Sequence, residues 1–189
     1  MQIIRFAELK AEPWRNGGGV TREIARQTSA DGGFDWRVSI ADVAKAGDFS
    51  TFPGMERVLT VVEGDLLLLT VDGKEQGLEK FRPFRFDGGA ATAATLPTGD
   101  IRDLNVITRT GAFKGFMSIL ELSRKRPHPL FEGQFGVLLQ GQANVTQGGG
   151  EPVDLGRYDA VVGADTGSPE ILGRGFLAVV SLDAQDATS

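Results

Sequence analysis

The sequence predicts an all-β protein, and three observations carry that prediction. Short runs rich in Val, Ile, Leu, Phe and Thr recur between clusters of Gly, Pro and Asp, the punctuation expected of strands and turns. No stretch sustains the 3.6-residue apolar period of an amphipathic helix over three turns. The two halves also echo one another. Residues 58–64, followed by a strand, a turn and residues 81–84, resemble residues 135–141, continued through 143–146, the loop 148–150 and residues 155–160. Laying Gly64 on Gly141 gives an offset of 77 residues.

In order, residues 2–6 form an expected first strand, and a glycine run at Gly17, Gly18 and Gly19 reads as a tight turn feeding a strand from Val20 onward. Residues 34–43 alternate, with Trp36, Val38 and Ile40 on one face and Arg37, Ser39 and Ala41 on the other. Residues 44–48 are a turn, and residues 49–54 an aromatic loop closed by Pro53 and Gly54. Residues 55–64 and 66–71 are apolar strands, the second turning at Asp72-Gly73, a strong hairpin signal. Residues 100–109 alternate so that Asp103, Asn105 and Ile107 share a side, and residues 115–120 are a further strand. A connector spans 122–131, and the small, polar tail 183–189 is expected to fray.

A strand ending in Gly, a hairpin, and a strand entered through a Gly-x-x-Asp-like turn is the grammar of a double-stranded β-helix, the jelly-roll barrel of cupins. Two copies predict a bicupin, with residues 1–121 as an N-terminal barrel carrying the pocket. Residues 122–189 would form a C-terminal barrel that strands from the N-terminal half could complete.

Composition narrows the chemistry. The chain has 189 residues, 20 Lys and Arg against 25 Asp and Glu, and a formal charge of -5, so nucleic acid is not an expected partner. The dense basic cluster Arg124-Lys125-Arg126 runs directly into Pro127 and Pro129 and reads as a solvated connector. No apolar run approaches the roughly 18 residues of a membrane span, and residues 1–8 lack signal-peptide character; the expectation is a cytoplasmic protein with no membrane partner. With no cysteine and one histidine, His128, neither thiolate chemistry nor a His-rich metal centre is available, and no cofactor or metal is expected. A Gly-x-Ser-x-Gly elbow and a phosphate loop are also missing.

What remains is polar residues on apolar strands. Thr21 and Glu23 share a face of the strand after the glycines, Arg37 and Ser39 share another, Arg57 opens an apolar strand, and Asp103 pairs in phase with Asn105. A buried Arg37 needs a carboxylate, either from Glu23 or Asp103 or from a ligand.

Residues 14–25, 36–41, 47–57 and 103–109, in that order, resemble the HutD/Ves family, with Pro83, Phe84, Phe86, Asp87 and Gly88 also fitting. The resemblance is strongest over about the first 120 residues. It implies a metal-free bacterial bicupin, linked in many relatives to histidine utilisation as a modulator and not a catalyst, while Ves-type relatives are stress-related. It also implies a pocket lined by Trp14, Asn16, Thr21, Glu23, Arg37, Ser39, Ser50, Arg57, Asp103, Asn105 and Arg109. Ser50 and Arg109 rest on the resemblance alone.

Two functions follow as expectations. In the first, a small anionic metabolite, urocanate-like or a formylated acid, binds with its carboxylate on Arg37 or Arg57, and the protein acts as a sensor. In the second, a metal-independent isomerase, lyase or hydrolase uses Glu23 or Asp103 as general base. Carboxylates beside arginines have lowered pKa values and make poor bases, which ranks the enzyme second. A third, blander expectation is a scaffold whose second barrel packs or forms a homodimer through exposed β edges.

Overall fold

The computed structural model describes residues 1–186, and among these it is all β apart from one 3-10 turn at Phe6–Glu8. The chain begins with β1 (Ile3–Ile4). The expected first strand is cut short because Asp159 captures its end: Arg5 Nη1 and the Phe6 amide donate to the two carboxylate oxygens at 2.8 and 2.9 Å.

There follow β2 (Ala11–Pro13), β3 (Gly19–Thr28), β4 (Phe34–Val43), β5 (Gly47–Asp48) and β6 (Met55–Glu63). Next come β7 (Leu66–Val71), β8 (Lys74–Glu79), β9 (Phe84–Asp87), β10 (Thr92–Thr95) and β11 (Ile101–Arg109). The last six are β12 (Phe113–Glu121), β13 (His128–Pro129), β14 (Gln134–Thr146), β15 (Val153–Leu155), β16 (Ala160–Val162) and β17 (Glu170–Ala184). The alternation of residues 34–43 and the hairpin at Asp72-Gly73 are reproduced residue for residue; both turn residues have positive φ, 45° and 80°. The connector expected at 122–131 contains β13, which pairs with β17 through His128↔Ile171. Of the tail, residues 183–184 end β17, and residues 187–189 lie outside the described residues.

Two compact units result. One takes Lys10–Gly115 together with the described residues 184–186, among which the Gln185 amide donates to Ala112 O at 2.9 Å. It holds a six-stranded antiparallel sheet in the order β2-β3-β4-β11-β6-β9 and a four-stranded sheet in the order β5-β10-β7-β8. Their apolar side chains meet in one core: Leu59, Val61 and Phe86 from the first sheet, Leu67, Leu69 and Ala94 from the second. Alternation demands this, since each strand can send only every second residue inward. The other unit takes Met1–Leu9 and Phe116–Asp183, with a seven-stranded sheet running β1-β16-β14-β17-β12, β13 on β17 and β15 on β14. Its interior is filled by Leu130, Leu138, Val145, Val161, Ile171 and Leu177, all fully buried. No helix among the described residues is long and apolar enough to cross a membrane.

Candidate functional site

The site grows out of the register of the six-stranded sheet. Adjacent strands align Thr21, Ala41, Asp103 and Val61 in one row, and Glu23, Ser39, Asn105 and Leu59 in the next. A third row holds Arg37, Ile107 and Arg57. Because the strand period is two, all of these point to one face, while Val38, Ile40, Leu104 and Val106 are buried on the other. A β-bulge between Glu23 and Ala25 inserts Ile24, so the hydroxyl and carboxylate of β3 stay on the polar face while the strand beyond shifts phase.

The three glycines take different places in the turn. Gly17 has φ +71°, in the left-handed region. The Gly18 amide donates to Asn16 Oδ1 at 2.8 Å, and its carbonyl accepts from the amides of Ala44 and Lys45. At Gly19 a Cβ would stand 2.5 Å from Asp42 O and 3.0 Å from the Trp14 ring. The turn thereby seats Trp14, whose Nε1 donates to Thr21 Oγ1 at 2.7 Å and whose ring meets Phe49 edge-on at 5.5 Å. Gly19→Ala is therefore expected to destabilise the protein by about 1–3 kcal/mol through overpacking, read by urea unfolding with tryptophan fluorescence; a change within about 0.5 kcal/mol would show that the turn yields freely.

Between this turn, the polar rows and the loop carrying Phe49 and Phe52 lies a cavity of about 520 Å³, within the usual size of small-molecule sites. Nine residues expected from sequence line it: Trp14, Asn16, Thr21, Arg37, Ser39, Ser50, Arg57, Asp103 and Asn105. Some of their polar atoms already serve the fold. Asn16 Nδ2 donates to Asp48 O at 3.3 Å while its Oδ1 holds Gly18, and the Ser50 carbonyl accepts from Arg57 Nη1 at 3.2 Å.

Glu23 and Arg109 are not in the lining. Glu23 supplies the internal carboxylate that Arg37 needs, accepting from Arg37 Nε at 2.9 Å and Arg26 Nε at 2.7 Å. Burial by itself would raise the Glu23 pKa, but the two guanidiniums outweigh it and hold the group below the usual carboxylate range. Arg109, at the far end of β11, instead donates to Asp35 Oδ1 at 3.0 Å and Phe34 O at 3.1 Å, fastening the β3–β4 hairpin.

Arg57 is the buried anchor, 5 % exposed. Its Nη2 and Nε both donate to Asn105 Oδ1, at 3.2 and 3.4 Å, and its guanidinium lies 5.1–5.8 Å from the ring centroids of Phe49, Phe52 and Phe86. Burial lowers its pKa to about 10, with Asp103 opposing that fall and Arg37 adding to it. Asn105 relays the polarity: with its oxygen facing a pure donor, its Nδ2 donates to Asp103 Oδ1 at 3.1 Å. Asp103 is fully buried, and burial pushes its pKa up to about 7 against the pull of Arg57. Its other oxygen, Oδ2, has no hydrogen-bond partner among the described residues. The expectation that an arginine nearby makes Asp103 a weak base fails here, because desolvation exceeds the charge attraction.

Arg37 is less enclosed, with 17 % of its side chain exposed; it lines the cavity, its Nε is committed to Glu23, and its Nη groups have no hydrogen-bonded partner among the described residues. The site can thus offer a carboxylate two guanidinium donors and, deeper in, one buried acceptor. Sequence reasoning missed Phe49 and Phe52 as wall residues, although a buried arginine calls for aromatic faces and both stand in the loop it singled out. It also missed Glu12 on β2, Asp48 on β5 and Arg15 in the turn between β2 and β3, all of which line the cavity. Among the described residues, no cluster of three or more His, Cys, Asp or Glu could hold a metal ion.

Comparison with known proteins matches residues 6–179 to the HutD family. A Pseudomonas putida protein described as an uncharacterized 21.2 kDa protein in the hutC 3' region is 36% identical over 179 residues, covering 92% of this chain and 90% of its own. Protein Ves of Citrobacter koseri is 38% identical over 123 residues, 64% of each chain. Among solved structures, HutD from Pseudomonas fluorescens in a formate condition superposes with a TM-score of 0.82 at 31% identity, covering 98% of this chain and 99% of that one. A cupin 2 conserved barrel domain protein from Leptotrichia buccalis shares the fold, with a TM-score of 0.61 at 10% identity over 97% and 96% of the chains. The fold is therefore cupin-like, and the chain belongs to the HutD family.

Proposed function

We propose that this protein is a metal-free bicupin that binds a small anionic metabolite in the Lys10–Gly115 unit and thereby modulates histidine utilisation or a stress response. The observation that carries the reading is Arg37: a guanidinium only 17 % exposed, oriented by Glu23, stands on the wall of a cavity of about 520 Å³. A charge-assisted hydrogen bond contributes about 1.5–3 kcal/mol net, so one arginine with two or three neutral donors supports roughly micromolar affinity. Size favours an acid of about ten heavy atoms over formate, whose three atoms reach only about millimolar at a ceiling near 1.5 kcal/mol per atom. The filled interior of the other unit supports assigning binding to one half and packing, or homodimerisation through its β edges, to the other. The reading includes a cytoplasmic location with no nucleic-acid or membrane partner. The hutC-region description of the P. putida relative supports the link to histidine utilisation.

Isothermal titration with urocanate, N-formyl-L-glutamate and histidine tests this. At least one is expected to bind near micromolar, with Arg37→Ala weakening it by roughly 10- to 100-fold and the exposed control Glu75→Gln leaving it unchanged. Absence of heat from all three well above micromolar concentration would sink the proposal.

A second reading draws on Asp103. A carboxyl group with its pKa raised to about 7 beside a bound acid meets the requirement for a general base without a metal. Turnover of a bound acid, detected by NMR and abolished in Asp103→Asn with binding retained, would bring this reading forward.

A further inference from the structure

The pocket holds one atom that the protein leaves unsatisfied. Asp103 Oδ2 is buried without a hydrogen-bond partner among the described residues, and its residue lines the cavity. Buried acceptors are nearly always paired, since leaving one bare forfeits its hydration with no return. The relay behind it sets its character. Arg57 has only donors, so Asn105 must present oxygen to Arg57 and its amide hydrogens to Asp103 Oδ1. The protein thus feeds a donor to one oxygen of Asp103 and leaves the other, on a residue that lines the cavity, as a buried acceptor. Along β4, Arg37 stands four residues from Ala41, the cross-strand partner of Asp103, a separation of about 14 Å that the arginine side chain spans only in part.

We infer that the ligand is a carboxylic acid that also carries an N–H donor, its carboxylate on Arg37 and its N–H on Asp103 Oδ2. The inference rests on the acid-binding reading above and narrows it: a plain monocarboxylate satisfies Arg37 and leaves the buried acceptor bare. A second carboxylate at Oδ2 would meet like charge. The charged groups around Asp103 agree. Arg57 from β6 favours its ionised form, Arg37 from β4 already has Glu23 from β3, and Asp42 opposes ionisation from outside the lining. Glu12, Arg15 and Asp48 stand on the cavity wall. Binding an N–H donor favours the carboxylate over the acid, so affinity for such a ligand is expected to rise from pH 6 to pH 8 as Asp103 gives up its proton.

The test is calorimetric titration of the full chain at pH 8 with two matched pairs of probes. N-formyl-L-glutamate is compared with N-formyl-N-methyl-L-glutamate, and urocanate with 3-(3-furyl)acrylate, which lacks the ring N–H. In at least one pair the N–H member is expected to bind about 10- to 100-fold tighter, and which pair discriminates tells an amide ligand from a heterocyclic one. Asp103→Asn supplies the internal control. The relay forces the new amide to give its oxygen to Asn105 and its NH2 to the cavity, turning an acceptor into a donor at constant volume. The preference should then collapse to within about threefold, whereas a loss caused by methyl bulk alone would persist. Equal binding within both pairs, or a preference unchanged in Asp103→Asn, overturns the donor requirement and leaves acid binding standing. Silence from all four probes overturns both. The wild-type comparison needs no variant, so a misfolded Asp103→Asn does not shelter the proposal.

Discussion

Arg57→Ala is expected to lower the free energy of unfolding by about 3–5 kcal/mol, the largest loss of any single replacement in the pocket, measured by urea unfolding at pH 8. The reason lies in what the guanidinium holds together. Its removal deprives three phenylalanine rings of a common cation, strips Asn105 Oδ1 of both donors and leaves Asp103 buried without the positive charge that favours its ionised form. Two companion variants separate these effects. Arg57→Met keeps much of the packing against the rings, so it should cost less than Ala, and less at pH 6 than at pH 8, because Asp103 can take up a proton when its cation is gone. Combining Arg57→Met with Asp103→Leu should cost less than the two changes summed, as expected when two charges share one network. A loss under about 1 kcal/mol for Arg57→Ala would mean that the aromatic loop and the relay stand without it.

Asp103→Asn is expected to do the reverse in the ligand-free protein: to stabilise it at pH 8 by on the order of a few kcal/mol while leaving it nearly unchanged at pH 4. The direction follows from the raised pKa. An aspartate that holds its proton up to about pH 7 when folded, but loses it near 4 when unfolded, binds more protons in the native state between those values. Its contribution to stability is fully present below pH 4 and is lost as pH rises through 7. The neutral amide fills the same place and keeps the hydrogen bond from Asn105 with no proton to lose. Thermal unfolding from pH 4 to pH 8 should therefore show a downward slope in the wild type, beyond that of the surface carboxylates, which the variant lacks. Parallel profiles for the two proteins would mean that Asp103 is ionised and comfortable in the folded state.

Much of this was legible from residues alone, and the reason is the strand period. Alternation over residues 34–43 and 100–109 placed Arg37 with Ser39 and Asp103 with Asn105 before any coordinates, and the register then set those pairs side by side as Ser39↔Asn105 and Ala41↔Asp103. Arg109 shows where that logic stops. It keeps the phase of Asp103 and Asn105, but it stands at the end of β11, where the nearest acceptors belong to the β3–β4 hairpin and not to the cavity. Glu23 was rightly seen as a carboxylate for Arg37, yet whether it would face the ligand or serve the arginine depends on side-chain packing, which no spacing encodes.

The patterning of apolar and polar residues, the turn chemistry and the want of cysteine and histidine were enough to establish a β protein of cupin type and the face that would carry its polar groups. Those are local properties, set by the alternation of a strand and by which side chains exist to be used. The charge state of Asp103, the orphaned Oδ2 and the enclosure of Arg57 by three phenylalanines, two from one loop and one from β9, came from folding alone. Desolvation depends on everything packed around a group, and that neighbourhood is assembled from strands far apart in the chain.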